Sequence, residues 1–228
     1  MTSAAAPRQL VLDLPHRAAL GAEDFLVSPS NAKAVGMIDN WHDWPRASAI
    51  VVGPEQSGKS HLAQVWRLKS GAEVVAAANL DEAIARKFAG PLVVEDVDRG
   101  IGCERTLFHL FNLARETGRA VLLTSSRPPG ELTVTLPDLR SRLRALPVIE
   151  IGAPDDELLR AVLVKLFADR QLAVEPHVVA HLALHMEQSM AAASRVVAEI
   201  DRRSLAVQRR VTRALAATVL ADFQSEAE

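Results

Sequence analysis

Apolar and polar positions change rhythm along this chain, and the change divides it in two. In the first part, short unbroken apolar runs alternate with segments of helical spacing. SAIVVG (48–53) reads as a buried strand, short, β-branched and ended by glycine. LVVEDV (92–97), RAVLLTSS (119–126) and VIEI (148–151) read the same way, and residues 73–77 read as a weaker strand. Helices are predicted over 30–42, with Ser30 or Asn31 as cap, and from Gly58 to about Lys69. Two more are predicted over 80–88 and over 104–117, where ERTLFHLFNLARET is amphipathic and Gly118 closes it. Strands alternating with helices predict a doubly wound α/β domain with a parallel sheet. After Gly152 the spacing is helical throughout, over 155–170, 176–187, 190–207 and 212–222, with no strand between. The predicted organisation is a flexible tail over 1–20, an αβα domain over 21–151 and a helical domain over 152–228.

Composition narrows the class. With 228 residues, 49% of them apolar, the chain can bury one sizeable core and a smaller one. A formal net charge of −2 argues against a strongly electrostatic nucleic-acid binder, although a local basic patch stays open. The single cysteine, Cys103, cannot form an intramolecular disulfide and fits a reducing cytosol. No apolar run approaches the ~18–20 residues of a membrane span. The opening MTSAAAPRQL lacks a hydrophobic signal core. The expectation is a cytoplasmic protein with no membrane partner.

The strongest chemical signal follows the first strand. GPEQSGKS, which is Gly53, Pro54, Glu55, Gln56, Ser57, Gly58, Lys59 and Ser60, matches G-x-x-x-x-G-K-[ST] between a strand and a helix. Glycines let backbone N–H groups turn inward around phosphate oxygens, and the helix N-terminus adds partial positive charge. Lys59 would reach the β- and γ-phosphates, and Ser60 would place its hydroxyl on Mg²⁺. The expected ligand is ADP or ATP with Mg²⁺.

LVVEDVD (92–98) supplies the acids. In a phosphate-loop protein a second strand ends in an aspartate that holds magnesium. Asp96, just past the apolar run, is the candidate. Strand alternation sends its neighbours to the other face. A register in which Glu95 binds metal and Asp96 acts as base is the alternative. Glu95 and Asp98 otherwise read as solvated or paired with Arg99. Many such ATPases place a second carboxylate directly after the aspartate, and here that residue is Val97.

Further stretches carry a resemblance. FLVSPSN (25–31), SHLA after the loop lysine, ERTLFHLFN (104–112), LLTSSRPP (122–129) and LPDLRSRL (136–143) resemble the AAA+ module of the bacterial replication initiator DnaA and of its shorter relative Hda, which inactivates DnaA. The resemblance covers about 9–222. It implies a P-loop AAA+ αβα domain followed by a small all-α lid. It makes Arg142, within SRL, the arginine finger that enters a neighbouring molecule's nucleotide pocket. A guanidinium suits that task because it is always charged and bonds bidentately. Without the resemblance, Arg140, Arg142 and Arg144 would read as a solvated basic surface.

The chain also departs from that family. The sensor position after the third strong strand falls on Ser126. The second sensor, normally an arginine, aligns with Ala191, and Arg195 lies one turn later. With Val97, these departures predict weak or absent intrinsic hydrolysis. In the tail, QLVLDLP carries Gln9, Leu10, Leu12 and Leu14 and resembles the peptide that docks on the β sliding clamp of DNA polymerase III. An extended peptide suits such docking. Alternatively the three leucines pack one face of an N-terminal strand.

Other features read more plainly. His177, His181 and His185 sit at helical spacing without a completing ligand set. Arg202, Arg203, Arg209, Arg210 and Arg213 read as a solvated face, and Cys103 as structural. The sequence ends without the helix-turn-helix that follows the module in DnaA, so sequence-specific DNA binding is not expected. The implied function is an adaptor that docks on the clamp and stimulates hydrolysis of DnaA-bound ATP in trans, with a homodimer as a further assembly. A self-assembling ATPase acting as a DNA-remodelling or helicase-loading factor is the alternative, and a nucleotide-stabilised scaffold is the blander one.

Overall fold

The computed structural model describes residues 25–207 and 210–225. The clamp-like motif at Gln9, Leu10, Leu12 and Leu14 lies outside the described residues. So does Arg209. The described residues form two compact units, one running to Ala153 and one starting at Pro154.

The first unit is built on five parallel strands: β1 (Ser48–Val52), β2 (Glu73–Ala76), β3 (Leu92–Glu95), β4 (Val121–Ser125) and β5 (Val148–Glu150). Their order is β2-β3-β4-β1-β5. Register pairs Ala49 and Ile50 with Leu122 and Leu123 of β4. Period-2 alternation then divides the apolar side chains between two cores. Ala49, Val51, Val93, Leu122 and Ile149 enter one core, with α1 (Ala32–Asp39) and α2 (Lys59–Ser70). Ile50, Val94, Val121 and Leu123 enter the other, with α3 (Glu82–Lys87), α4 (Glu104–Thr117) and α5 (Pro137–Arg144). Burial on both faces explains why these strands read as continuous apolar runs.

Helix ends follow local chemistry. Asp81 accepts a hydrogen bond from Ile84 N–H at 3.0 Å and starts α3. Gly71 and Gly118, at φ 70° and 72°, close α2 and α4 in the left-handed conformation. The first helix is shorter than the spacing predicts. Asn31 does precede it, but its amide does not cap it: the Oδ1 accepts from Ser28 N–H and the Nδ2 donates to Leu26 C=O, both at 2.9 Å. At the other end Asn40 donates to Gly36 C=O, and the chain turns into a 3-10 segment at Trp41–Asp43.

One helix was not expected. In α5 only Leu139 and Leu143 are buried, four residues apart, and Pro137 opens it. The remaining side chains are mostly charged, so apolar periodicity is too thin to announce it.

The second unit packs α6 (Asp156–Asp169), α7 (Pro176–His185), α8 (Met190–Val207) and α9 (Arg213–Ser225) around Leu163, Phe167, Leu182, Val197 and Ile200. Asp155 caps α6 through Leu158 N–H at 2.8 Å, and Ser189 accepts from Ala192 N–H near the start of α8. Arg202 and Arg203, read from sequence as solvated, both bond Glu199, and Arg203 also reaches Asp222 at 2.7 Å. These guanidinium groups hold the Glu199 carboxyl down to about 2. Among the described residues no helix is long and apolar enough to cross a membrane.

Candidate functional site: the phosphate loop and its acids

β1 ends at Val52, and the chain turns through residues 53–58 into α2. The turn depends on having no side chain at Gly53. A Cβ there would stand 2.6 Å from Ser57 Oγ and 2.7 Å from Ile151 C=O. Gln56 and Gly58 both take positive φ, 59° and 98°, which curls the segment.

Lys59 sits inside this curl, with 7% of its surface exposed. Its Nζ donates to Gly53 C=O at 2.8 Å and Pro54 C=O at 2.7 Å. Burial lowers the lysine's pKa, while Asp98, Asp96 and Glu55 oppose the drop. Ser57 Oγ is buried without a hydrogen-bond partner. A buried cation satisfied only by carbonyls, next to an orphaned hydroxyl, fits an anion carrying several acceptor oxygens. Ser60 is exposed in the first turn of α2. A further cavity of about 650 Å³ adjoins Gly53 and is lined by Ser30, Lys33, Met37, Pro128 and Glu150.

The acids are arranged differently from the strand-based expectation. β3 stops at Glu95, and Asp96 adopts a left-handed conformation at φ 58°. Aspartate tolerates that region better than most residues. The following 3-10 turn, Val97–Arg99, ends the alternation on which the separation of Asp96 from its immediate neighbours Glu95 and Val97 rested. Both carboxylates act on Lys59, and Asp98 acts more strongly. Arg99 does not pair with Asp98. It lies 3.8 Å from Asp96 Oδ2 and 3.3 Å from Glu55 Oε1. Asp98 instead accepts from Ser126 N–H at 3.0 Å, and Thr124 Oγ1 accepts from Asp96 N–H at 3.0 Å. The ends of β3 and β4 are thus tied, which places Ser126 beside the acids. Sequence reasoning read Asp98 as solvated or paired with Arg99 and did not name Thr124, because both bonds run between the ends of β3 and β4, residues 28 apart in sequence. Val97 is buried at 3% exposure in the core, so that position serves packing.

Arg142 lies on α5, and its Nη2 donates to Asn112 Oδ1 on α4 at 3.2 Å. Arg140 is engaged elsewhere: its Nε donates to Val134 C=O at 3.2 Å. The entry to α5 is held by Glu104. That carboxylate accepts from Thr135 N–H at 2.8 Å, Leu136 N–H at 2.7 Å and Thr135 Oγ1 at 2.8 Å. Burial would raise its pKa, but these donors outweigh it and hold the carboxyl below its ordinary value.

In the helical unit, Arg195 reaches Glu187 at 3.9 Å and lies over the Phe223 ring. The His181 and His185 rings are 4.4 Å apart. His181 is pushed down by burial, then by the charges of His185 and Arg213.

No family model matches the chain. Solved structures do. Domain III of the Thermotoga maritima replication initiation protein DnaA superposes with a TM-score of 0.72 at 20% identity, covering 89% of this chain and 95% of that one. The fold is that of DnaA domain III. AMPPCP-bound DnaA from Aquifex aeolicus matches at TM-score 0.63 and 19% identity, with 80% of this chain covering 65% of that one. The Thermotoga maritima RuvB Holliday junction branch migration motor matches at 0.65 and 15%, with 84% of this chain covering 67% of that one. The same fold is therefore common to this chain, DnaA domain III and RuvB, and here the phosphate loop follows β1, which lies between β4 and β5.

Proposed function

We propose that this chain is a DnaA-related AAA+ adaptor. It holds ADP or ATP with Mg²⁺ on its own phosphate loop and supplies Arg142 to ATP bound by DnaA. Docking on the DNA-loaded β clamp through Gln9, Leu10, Leu12 and Leu14 would bring it to its target, and the outcome would be inactivation of the initiator.

The residues present suit a nucleotide. Lys59 and the loop N–H groups would hold the phosphates. Ser60 and Asp96 would hold the magnesium, with Asp98 beside them and Ser126 within reach of a phosphate or water. Bound Mg²⁺ would neutralise phosphate charge. Intrinsic turnover would be slow, since Val97 offers no carboxylate to orient a water.

The observation that carries the trans reading is the place of Arg142. In a parallel sheet every phosphate-side loop leaves the strand C-terminal ends. Helix α5 ends just before β5 begins, at the opposite edge. There Arg142 bonds Asn112 on α4 and lines a hollow with Arg46, which precedes β1, whereas the phosphate loop follows β1. Its cation is offered away from the resident loop. Supplied in trans, such a group accelerates hydrolysis by roughly 10³–10⁵.

The same geometry would serve a ring of identical subunits, and the RuvB motor's similarity keeps that reading in play. Two measurements separate them. Removing residues 9–14 should abolish clamp binding while nucleotide binding persists. Turnover of DnaA-bound ATP should rise with this protein, clamp and DNA. Nucleotide-dependent self-assembly with hydrolysis stimulated by single-stranded DNA, and no effect on DnaA, would favour the motor instead.

A further inference from the structure

Arg142 is not alone at its edge of the sheet. Arg46 lies two residues before β1, and Arg115 lies in the last turn of α4, before β4. With Arg142 before β5, three arginines precede three adjacent strands, β4, β1 and β5. All three line one shallow hollow of about 330 Å³. Among the described residues Asp138 is the only carboxylate lining it, so three guanidinium groups face one acid. That is an excess of two positive charges on a chain whose net charge is −2.

These cations are poorly satisfied. Arg142 has one neutral partner, the Asn112 side-chain oxygen. The Arg46 and Arg115 guanidinium groups are exposed and have no hydrogen-bond or ion-pair partner among the described residues; the Ser48 hydroxyl donates to the Arg46 backbone carbonyl. Like charges gathered without counter-charge repel one another, so the arrangement gains when an anion arrives. Some arginines elsewhere pair with acids, Arg86 with Glu82, Arg99 with Glu55 and Arg203 with Glu199 and Asp222, and others such as Arg105, Arg144 and Arg160 have no ion pair among the described residues. What distinguishes Arg46, Arg115 and Arg142 is that they share one hollow. Arg46 is also held at φ 56°, a conformation uncommon for a side chain of its size.

We infer that Arg46 and Arg115 form, with Arg142, a pocket for the polyphosphate chain of a nucleotide carried by a neighbouring AAA+ molecule. Planar guanidinium groups match phosphate oxygens bidentately, and three of them can bracket two or three successive phosphates. β1, five residues long, separates this hollow from the phosphate loop by about 16 Å, so the resident nucleotide cannot fill it. The inference rests on the trans reading of Arg142 and deepens it: the finger does not act as a lone charge, and Arg46 and Arg115 hold the chain that it touches.

The test has two arms. With the phosphate loop saturated by ADP, inorganic tripolyphosphate is titrated while the arginine side-chain Nε–H signals are followed by NMR. The Arg46, Arg115 and Arg142 signals should move together to a common saturation. The double variant Arg46→Ala/Arg115→Ala should weaken that binding tenfold or more, and Arg46→Lys/Arg115→Lys should recover part of it. Signals that stay still, or unchanged affinity in the double alanine variant, overturn the pocket. The second arm measures turnover of DnaA-bound ATP. There the double alanine variant should lower the stimulated rate at least tenfold, with thermal unfolding unchanged because both side chains are exposed. Should Arg142→Ala abolish stimulation while the double variant stimulates fully, the pocket fails and the trans reading survives. Tripolyphosphate binding that depends on Arg46 and Arg115, without any effect on DnaA, upholds the pocket as a polyphosphate site and removes the trans reading.

Discussion

The two edges of the parallel sheet treat positive charge in opposite ways. At the C-terminal edge, Lys59 is buried, bonded to two loop carbonyls and surrounded by Asp96, Asp98 and Glu55. At the N-terminal edge, Arg46, Arg115 and Arg142 share a hollow with one acid. A curled loop with acids beside it suits a ligand that stays and brings its own metal. An open, under-neutralised hollow suits a ligand that arrives already attached to something else. On the proposed function, the difference would assign holding a nucleotide and acting on one to separate faces of one fold.

Breaking each edge separately should sharpen that contrast. The largest effect is expected from Arg142→Ala, a loss of about 10³-fold in stimulated turnover of DnaA-bound ATP, read in a single-turnover assay. Affinity of the chain for its own nucleotide should not change. Lys59→Ala should do the reverse. It removes charge-assisted hydrogen bonds worth about 1.5–3 kcal/mol, roughly a 10- to 150-fold loss of nucleotide affinity by titration calorimetry.

Lysine also gives the first edge a pH dependence. Burial lowers the Lys59 pKa in the nucleotide-free protein, and a phosphate beside it would raise it again. Binding therefore takes up a proton above the lowered value. Affinity should weaken as pH rises through that value, earlier than an ordinary lysine would dictate. Calorimetry in buffers of different ionisation enthalpy counts the protons directly, and a pH-independent affinity up to the ordinary lysine range would remove this account of the loop.

Gly53→Ala should damage the loop through sterics alone, because its Cβ would lie 2.7 Å from the Ile151 backbone oxygen. Nucleotide affinity should fall about tenfold or more, at a cost of 1–3 kcal/mol typical of overpacking. Polyphosphate binding at the other edge should be retained.

The smallest effect is expected from Glu104→Gln. Three donors at the entry to α5 would lose a charged acceptor, a change of about 1 kcal/mol in stability, comparable with a lost cap. The Glu104 carboxyl is held below its ordinary value. Its stabilisation is therefore complete above the ordinary carboxylate value and disappears as pH falls through the lowered one. Denaturant melts of wild type and Glu104→Gln should differ at neutral pH and converge in acid.

Most of the sheet was legible because burial on both faces turns strands into apolar runs, as in Ala49–Val51 and Val93–Val94. The phosphate loop was legible because its chemistry is local: eight consecutive residues make the turn, the cradle and the helix start. The acids were only half legible. Asp96 stood out at the end of β3, but it is left-handed and Asp98 follows in a 3-10 turn, so the place of Asp98 is set by the turn and not by strand alternation. Helix α5 was hidden because two buried leucines suffice to dock it. The arginine hollow was hidden for another reason. Its three cations come from segments 46, 115 and 142, and only the strand order β4-β1-β5 brings them together.

The central claim is that Arg142 serves a triphosphate held by another molecule. DnaA loaded with γ-labelled ATP, mixed in a single turnover with this protein carrying ADP, clamp and DNA, tests it most directly. Phosphate release should accelerate with the wild-type chain and return to the unstimulated rate with Arg142→Ala. Equal rates with wild type and Arg142→Ala would contradict the claim.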